Sequence, residues 1–526
     1  MDHLSIISHI KEIDGVELLD IREPHPDETI ISIRPKDFKK VCMHLHTLCP
    51  SPVMMLFACD ERRKGAGFSI YAVFMAAPQK KWFVIEMNIA ENEARFDSLA
   101  KEIYSASLFE REIKEMFGIE PVGNPDTRRL RLHDEIWPEG HYPMLKDFIR
   151  TTDTTSVSGD YRFTKVEGEG IFEVPVGPVH AGIIGPGHFR FSSAGEPIIN
   201  LEIRLGFTHR GIEKLMEGKD PADAVAIAER VEGDSSFAHS LAFCHAAEKI
   251  NAIAVPERAK YLRALFLELE RMYNHVNDIG GIATDVGFSF PAALASAIKE
   301  NILSLNEELT SSRYLRGVNI AGGVLKDVCR DKIKLLKRAL EVAIKDINRL
   351  KEILDSSNSF LDRVDGTGIL KKKTAQDIGI VGMAARACGI AMDLRKDFPG
   401  IYDKIKFNIA LEHSGDVLAR LRIRFSEFME SVRLIGLLIE GLPPGDIRAC
   451  HAQHKEGLSL GYAEGWRGQV LYALKLDPAG IIERCKIVDP SFHNWHGLSY
   501  SVLGDIIPDF PLCNKSFDLS YPGNDL

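Results

Sequence analysis

Residues 258–288 read RAKYLRALFLELERMYNHVNDIGGIATDVGF. Leu262, Leu265, Phe266, Leu269, Met272, Tyr273 and Val276 recur three and four apart, which puts them on one face of an α-helix, and Pro256 stands at a helix-start position. The same spacing returns in 332–355, through Leu336, Leu340, Ala343, Ile347, Leu350 and Leu354, and in 416–440, through Leu421, Phe425, Phe428, Val432, Ile435 and Ile439. Several amphipathic helices of this length bury their apolar faces against one another, so the second half of the chain is predicted to be a helical bundle.

Toward the N-terminus the pattern changes. FEVPV (172–176), HFRF (188–191) and IINLEIRL (198–205) read as strands, giving the bundle a short β-rich start. RTTDTTSVSGD (150–160) has linker composition. The first part mixes both periods: Ile30–Ile33, Val53–Cys59, Gly67–Met75 and Trp82–Ile89 as strands, Asp37–Thr47 and Leu99–Met116 as helices, then a long, ordered-looking loop from Gly118 to Tyr142. The predicted class is α+β, with a small α/β domain over 1–150, a linker over 151–168 and a large domain over 169–526.

The chain has 526 residues, too many for one ordinary core, and its 45% hydrophobic and 27% charged composition is globular. A net charge of -10 gives no reason to expect a nucleic-acid partner. The most apolar run, Leu434–Ile439, is short and flanked by Arg433 and Glu440, and the start MDHLSIISHIKEID has no signal-peptide pattern; neither a membrane span nor a leader is expected. Nine scattered cysteines with no C-x-x-C pair read as reduced thiols and offer no set for an iron–sulfur cluster. GPGHF and GVNIAGGV match neither nucleotide-loop pattern. His451 and His454, and His493 and His496, are each three apart, but both pairs lie in loop-like sequence, and the zinc reading is set aside.

Residues 110–147, EREIKEMFGIEPVGNPDTRRLRLHDEIWPEGHYPMLKD, resemble the signature of the 30-kDa-type subunit of respiratory complex I. That resemblance implies a loop, 118–147, that docks onto neighbouring core subunits. Residues 172–215, FEVPVGPVHAGIIGPGHFRFSSAGEPIINLEIRLGFTHRGIEKL, look like the start of the 49-kDa-type subunit and of the related large subunit of membrane-bound nickel–iron hydrogenases. Counterparts continue through 258–288, SSRYLRGVNIAGGV (311–324), FLDRVDGTGIL (360–370), GDVLARLRIR (415–424) and DPSFHNW (489–495). The whole resembles the fused subunits of formate-hydrogenlyase-type complexes.

The metal motifs depart from that family. Its R-x-C-G-x-C-x-x-x-H reads here Arg230-Val231-Glu232-Gly233-Asp234-Ser235-Ser236-Phe237-Ala238-His239, and its D-P-C-x-x-C reads Asp518-Leu519-Ser520-Tyr521-Pro522-Gly523. Glu232, Ser235, Ser520 and Gly523 replace all four thiolates, and a soft redox metal needs soft sulfur ligands. No nickel, and no cofactor held by this chain, is therefore expected. Gly233 also stands where the complex I resemblance places a quinone-binding tyrosine.

The resemblance implies the core subunit of a membrane-associated, ion-translocating oxidoreductase, held at the cytoplasmic side by its partners and inactive alone. The implied partners are an iron–sulfur small subunit and antiporter-like membrane subunits, with a quinone as one acceptor. Quinone reduction in the complex I manner and a non-catalytic coupling role are the alternatives. Because the two cysteine motifs converge in that family, Glu232, His239, Arg230 and Asp518 are expected to line one cavity. Glu213 and His188 join the catalytic candidates, and Asp278 and Asp285 are the proton-path candidates.

Overall fold

The computed structural model describes residues 3–149, 157, 159–181, 184–449 and 454–526. The N-terminal part is a five-stranded sheet. Its strands are β1 (Leu18–His25), β2 (Glu28–Ile33), β3 (Met55–Asp60), β4 (Phe68–Ala76) and β5 (Lys81–Ile89), in the order β1-β2-β5-β4-β3. Only the β2–β5 pair is parallel. Helices α1 (His3–Lys11), α2 (Phe38–Leu48) and α3 (Ser107–Phe117) pack with it. The exposed strand β1 and the helix α1 are not predicted from the sequence pattern. The helix expected over Leu99–Met116 forms only from Ser107, behind a 3-10 turn at Tyr104–Ala106.

The second part opens on a three-stranded sheet, β6 (Ile171–Val176), β7 (His188–Ala194) and β8 (Ile198–Arg204). The bundle follows, with α4 (Ile212–Met216), α5 (Pro221–Ala228), α6 (Ser236–Ile250), α7 (Glu257–Asp285), α8 (Ser289–Thr310), α9 (Arg330–Asp355) and α10 (Val417–Glu440). Each apolar position named above on the three long helices is buried. An antiparallel meander then comes where no strand was predicted: β9 (Gly457–Glu464), β10 (Gln469–Leu476) and β11 (Ile482–Val488). Helices α11 (Pro490–Ser501), α12 (Phe510–Phe517) and α13 (Tyr521–Asp525) end the chain.

Two features of the packing position the site. Helices α7 and α10 meet along a buried polar seam rather than an oily one. On α7, Glu268, Arg271, His275 and Asp278 share a face. They meet Ser431 (2.6 Å from Glu268), Glu427 (2.8 Å from His275, 3.8 Å from Arg271) and Arg424 (2.8 Å from Asp278) of α10. Buried charges persist only when paired, and these are. Second, the N-terminal sheet and the C-terminal meander share one core: Leu460, Leu471, Ala473, Val488 and Phe492 pack among Phe57, Phe74, Phe83 and Phe109.

Ionic contacts stitch the same seam between the two parts. Arg131 bonds the Asn524 carbonyl (2.7 Å) and pairs with Glu112, Lys249 pairs with Glu28 (2.7 Å), and Lys486 pairs with Glu112. Three residues of the predicted docking loop contact the second part of this chain: Arg128 meets Glu202, His133 meets the Leu205 carbonyl and Lys146 meets Glu217.

Candidate functional site

The segment Glu232–Ser235 runs into α6. The Glu270 carboxyl on α7 accepts the Phe237 and Ala238 amides (2.7 and 2.9 Å), which pairs two of the open N–H groups at the helix start; burial pushes this carboxyl up to about 8. Across from it, the β9–β10 turn Gly465-Trp466-Arg467-Gly468 projects Arg467. Arg271 holds that turn through the Glu464 and Gly465 carbonyls, and Gly382 must lack a side chain because a Cβ there would stand 2.0 Å from the Arg467 carbonyl.

The buried Arg467 guanidinium is the hub. It pairs with Glu232, bonds Asp234 twice (2.8 and 3.0 Å), reaches Asp518 (3.4 Å) and stacks on the Trp466 ring at 3.9 Å. Lys515 pairs with the other Asp518 oxygen at 2.6 Å. The two motifs that carry metal ligands in the resembled family are therefore joined by an organic cation. The remaining replaced positions serve local structure: Ser235 accepts the Trp466 indole N–H (3.0 Å), and Ser520 caps α13 by accepting the Gly523 amide (2.8 Å). A side-chain carbon at 523 would lie 2.9 Å from Asp489 Oδ2, so the Asp489 carboxylate stands where a cysteine would project.

His239 is fully buried, with Nε2 3.1 Å from Asp489 Oδ2 and Nδ1 2.9 Å from the Tyr472 hydroxyl. Asp489 also caps α11 through the Ser491 amide (2.7 Å). Burial alone would raise the Asp489 carboxyl, but the His239 hydrogen bond and the His239 and Arg467 charges hold it at about 2. Glu232 goes the other way: burial, with Asp234 and Asp489 close by, pushes it well above the carboxylate range despite Arg467. On α7, burial and the neighbouring Asp518 push Asp278 up to about 8 against Arg424 and Lys515. Lys515 and Arg467 outweigh burial at Asp518 and hold it well down. Two carboxyls that touch, one high and one low, share a proton.

The structure thus brings Glu232, His239 and Asp518 to one cluster and places Asp278 at its edge. It does not bring Arg230 there: that side chain is 60% exposed, near Glu229 and the Ala226 carbonyl, because the short turn after α5 directs it to solvent while Val231 enters the core. The expected cavity is a packed ion cluster, filled by Arg467. Glu213 lies elsewhere, buried against Arg484 (2.7 Å), Lys486 (3.1 Å) and the Ile487 amide, in the contact between the two parts of the chain. His188 faces Phe163 and Arg190, opposite the core-facing Phe189 of the same strand. Asp285 is exposed at the end of α7. His451 lies outside the described residues. His493 and His496 are on α11, not in a loop; His493 meets the Met54 carbonyl and His496 packs on Tyr104. Sequence reasoning missed Arg467, Asp234, Asp489, Tyr472 and Lys515. Only Asp489-Pro490 carried a signal, since Asp followed by Pro marks a helix start.

Among the described residues no helix is long and apolar enough to cross a membrane. Residues 31–154 match the respiratory-chain NADH dehydrogenase 30 Kd subunit, 285–456 its 49 Kd subunit, and 210–278 the nickel-dependent hydrogenases. Formate hydrogenlyase subunit 5 of Escherichia coli is 30% identical over 95% of this chain and 89% of its own length. Hydrogenase-4 component G of the same organism is 30% identical over 99% and 92%. The fused C/D component of NADH-quinone oxidoreductase from Bacteroides thetaiotaomicron is 32% identical over 65% and 67%. Among solved structures, a chain of the membrane-bound sulfane sulfur reductase, an archaeal respiratory membrane complex, superposes with a TM-score of 0.64 at 26% identity, covering 68% of this chain and 99% of that one. The chain, with no cysteine at positions 232, 235, 520 or 523, belongs to the family of fused 30-kDa-type and 49-kDa-type subunits that links membrane-bound hydrogenases to NADH-quinone oxidoreductase.

Proposed function

We propose that this chain is the core subunit of a membrane-associated, ion-translocating oxidoreductase complex, and that it works without a nickel–iron centre. The observation that carries the reading is the Arg467 cluster: a guanidinium joins Glu232 and Asp518, two residues of the degenerate ligand motifs. Electrons arrive from an iron–sulfur cluster on a small partner protein. The chain's own part is proton supply. A buried Glu232 whose carboxyl is pushed well above the carboxylate range is suited to act as general acid beside the acceptor as it is reduced, and a quinone is the acceptor class we favour. Protons enter from Asp285 at the surface and pass through Asp278 and Asp518 to Glu232. Antiporter-like membrane subunits hold the complex at the cytoplasmic face. The iron–sulfur partner docks on the tip of the β6–β7 hairpin, where Val179 is 85% and Ile184 52% exposed.

The test is the purified whole complex with Glu232→Gln, assayed for electron transfer to a soluble quinone and for nickel. Turnover falls by about 10²-fold or more, as expected on loss of a general acid, while the complex keeps all its subunits. Full activity in the glutamine variant removes Glu232 from the chemistry, and about one nickel per chain overturns the reading altogether.

A further inference from the structure

Glu232, His239 and Asp489 are arranged as an ion site. One ligand-type atom from each lies within 4.8 Å of the other two, and all three side chains are buried. Arg467 satisfies Glu232 Oε1, but Glu232 Oε2 is buried without a hydrogen-bond partner. Buried polar atoms are rarely left unpaired, so this oxygen is open to a ligand.

We propose that Glu232, His239 and Asp489 bind a divalent cation of the zinc class, a nitrogen-and-oxygen site standing where the family's thiolate site has been lost. This departs from the expectation of an ion-free chain. Donors about 2.1 Å from a tetrahedral ion stand roughly 3.4 Å apart, so the widest separation closes by at most about 1.4 Å on binding. His239 Nε2 and Asp489 Oδ2, at 3.1 Å, already meet that spacing. Binding requires the His239 proton on Nδ1, where the Tyr472 hydroxyl oxygen accepts it and turns the Nε2 lone pair inward; this is the usual outer-shell partner of a metal-binding imidazole. The Ser491 amide occupies Asp489 Oδ1 and leaves Oδ2 for the ion. Gly523 keeps that oxygen free, since any side chain there would press on it. One imidazole and two carboxylates with no thiolate suit zinc or manganese rather than nickel–iron chemistry.

The inference uses the same cluster as the proposed function but not its electron transfer, and the experiment keeps the two apart. The purified complex is stripped with a chelator, re-equilibrated with Zn²⁺ alone, and assayed for bound zinc by mass spectrometry and for affinity by competition with a chromophoric chelator. One zinc per chain is expected. Glu232→Gln, which keeps side-chain volume and one oxygen for Arg467, and His239→Gln are each expected to weaken this zinc by at least about 100-fold while the complex still assembles. Zinc uptake unchanged by both substitutions places the ion elsewhere and overturns the proposal, as does no uptake by the wild type. If one variant fails to assemble, the other decides. Nickel content and quinone turnover are separate readouts, so either conclusion can fail while the other stands.

Discussion

Removing Arg467 gives the sharpest test of the cluster. In Arg467→Ala, Glu232 and Asp234 lose their guanidinium and Asp518 keeps only Lys515. Arg467 is 5% exposed, so water does not replace it. Breaking a buried ion pair by deleting one partner costs about 3–5 kcal/mol, and loss of the stack on Trp466 adds about 1 kcal/mol. Unfolding entropy scales at about 2 cal/mol/K per residue, so on a chain of this length, melting as one unit, the penalty lowers Tm by roughly 4–6 °C. The pH dependence has a definite sign. Glu232 has a raised folded-state pKa, so its protonation favours the fold at low pH and that gain is lost as pH rises through the folded-state value. Losing Arg467 raises it further and extends the loss to higher pH. Asp489 and Asp518 are held low, stay ionised from pH 5 to 8 in the wild type and contribute a constant term. The Tm penalty of the variant therefore grows as pH rises past the point at which the wild-type Glu232 carboxyl ionises, measured by scanning fluorimetry on the purified complex. Arg467→Lys recovers only part of it, because one ammonium cannot span three carboxylates. A Tm within 1 °C of the wild type at pH 8, or a penalty that shrinks with rising pH, refutes the hub.

Three further outcomes are expected. Gly523→Cys does not restore a thiolate site; it collides with Asp489 and costs about 1–3 kcal/mol, read as a lowered Tm with no nickel gained. Lys486→Met leaves the buried Glu112 with Arg131 and Glu213 with Arg484 as their remaining cations and loosens the two parts of the chain by about 1–3 kcal/mol, read as faster protease cleavage in the 151–168 segment. Val179→Asp leaves the chain's own stability within about 0.5 kcal/mol of the wild type but lowers recovery of the iron–sulfur partner in the purified complex, because the residue is exposed and touches no core.

The helices were readable because each buries one stripe of a long element, and Leu262 to Val276 or Leu336 to Leu354 announce that stripe in sequence. The meander β9–β11 was not: its residues are buried on both faces, so QVLYALKL carries no alternation to separate strand from helix. That omission hid Arg467, which sits on the turn of a hairpin and finds its partners far away in sequence, at 232, 234 and 518. Loss of the four thiolates was legible residue by residue. What fills the space was not, since a guanidinium hub depends on three loops meeting in space. Arg230 shows the converse error: adjacency to Glu232 in sequence suggested a partner that the turn after α5 sends outward.

The core shared by the N-terminal sheet and the C-terminal meander has a consequence for how the protein is made. Sheet β1–β5 and α3 leave the ribosome early, yet the apolar surface that Leu460, Leu471 and Val488 cover must wait for about 340 to 370 more residues after Phe117. At ribosomal speeds of about 5–20 residues per second that is a delay of roughly twenty seconds to a minute, with a half-covered sheet face open to aggregation or chaperones. Carrying both halves on one polypeptide turns the closing encounter into an intramolecular search at millimolar effective concentration, so that the halves are made in equal number and meet each other first.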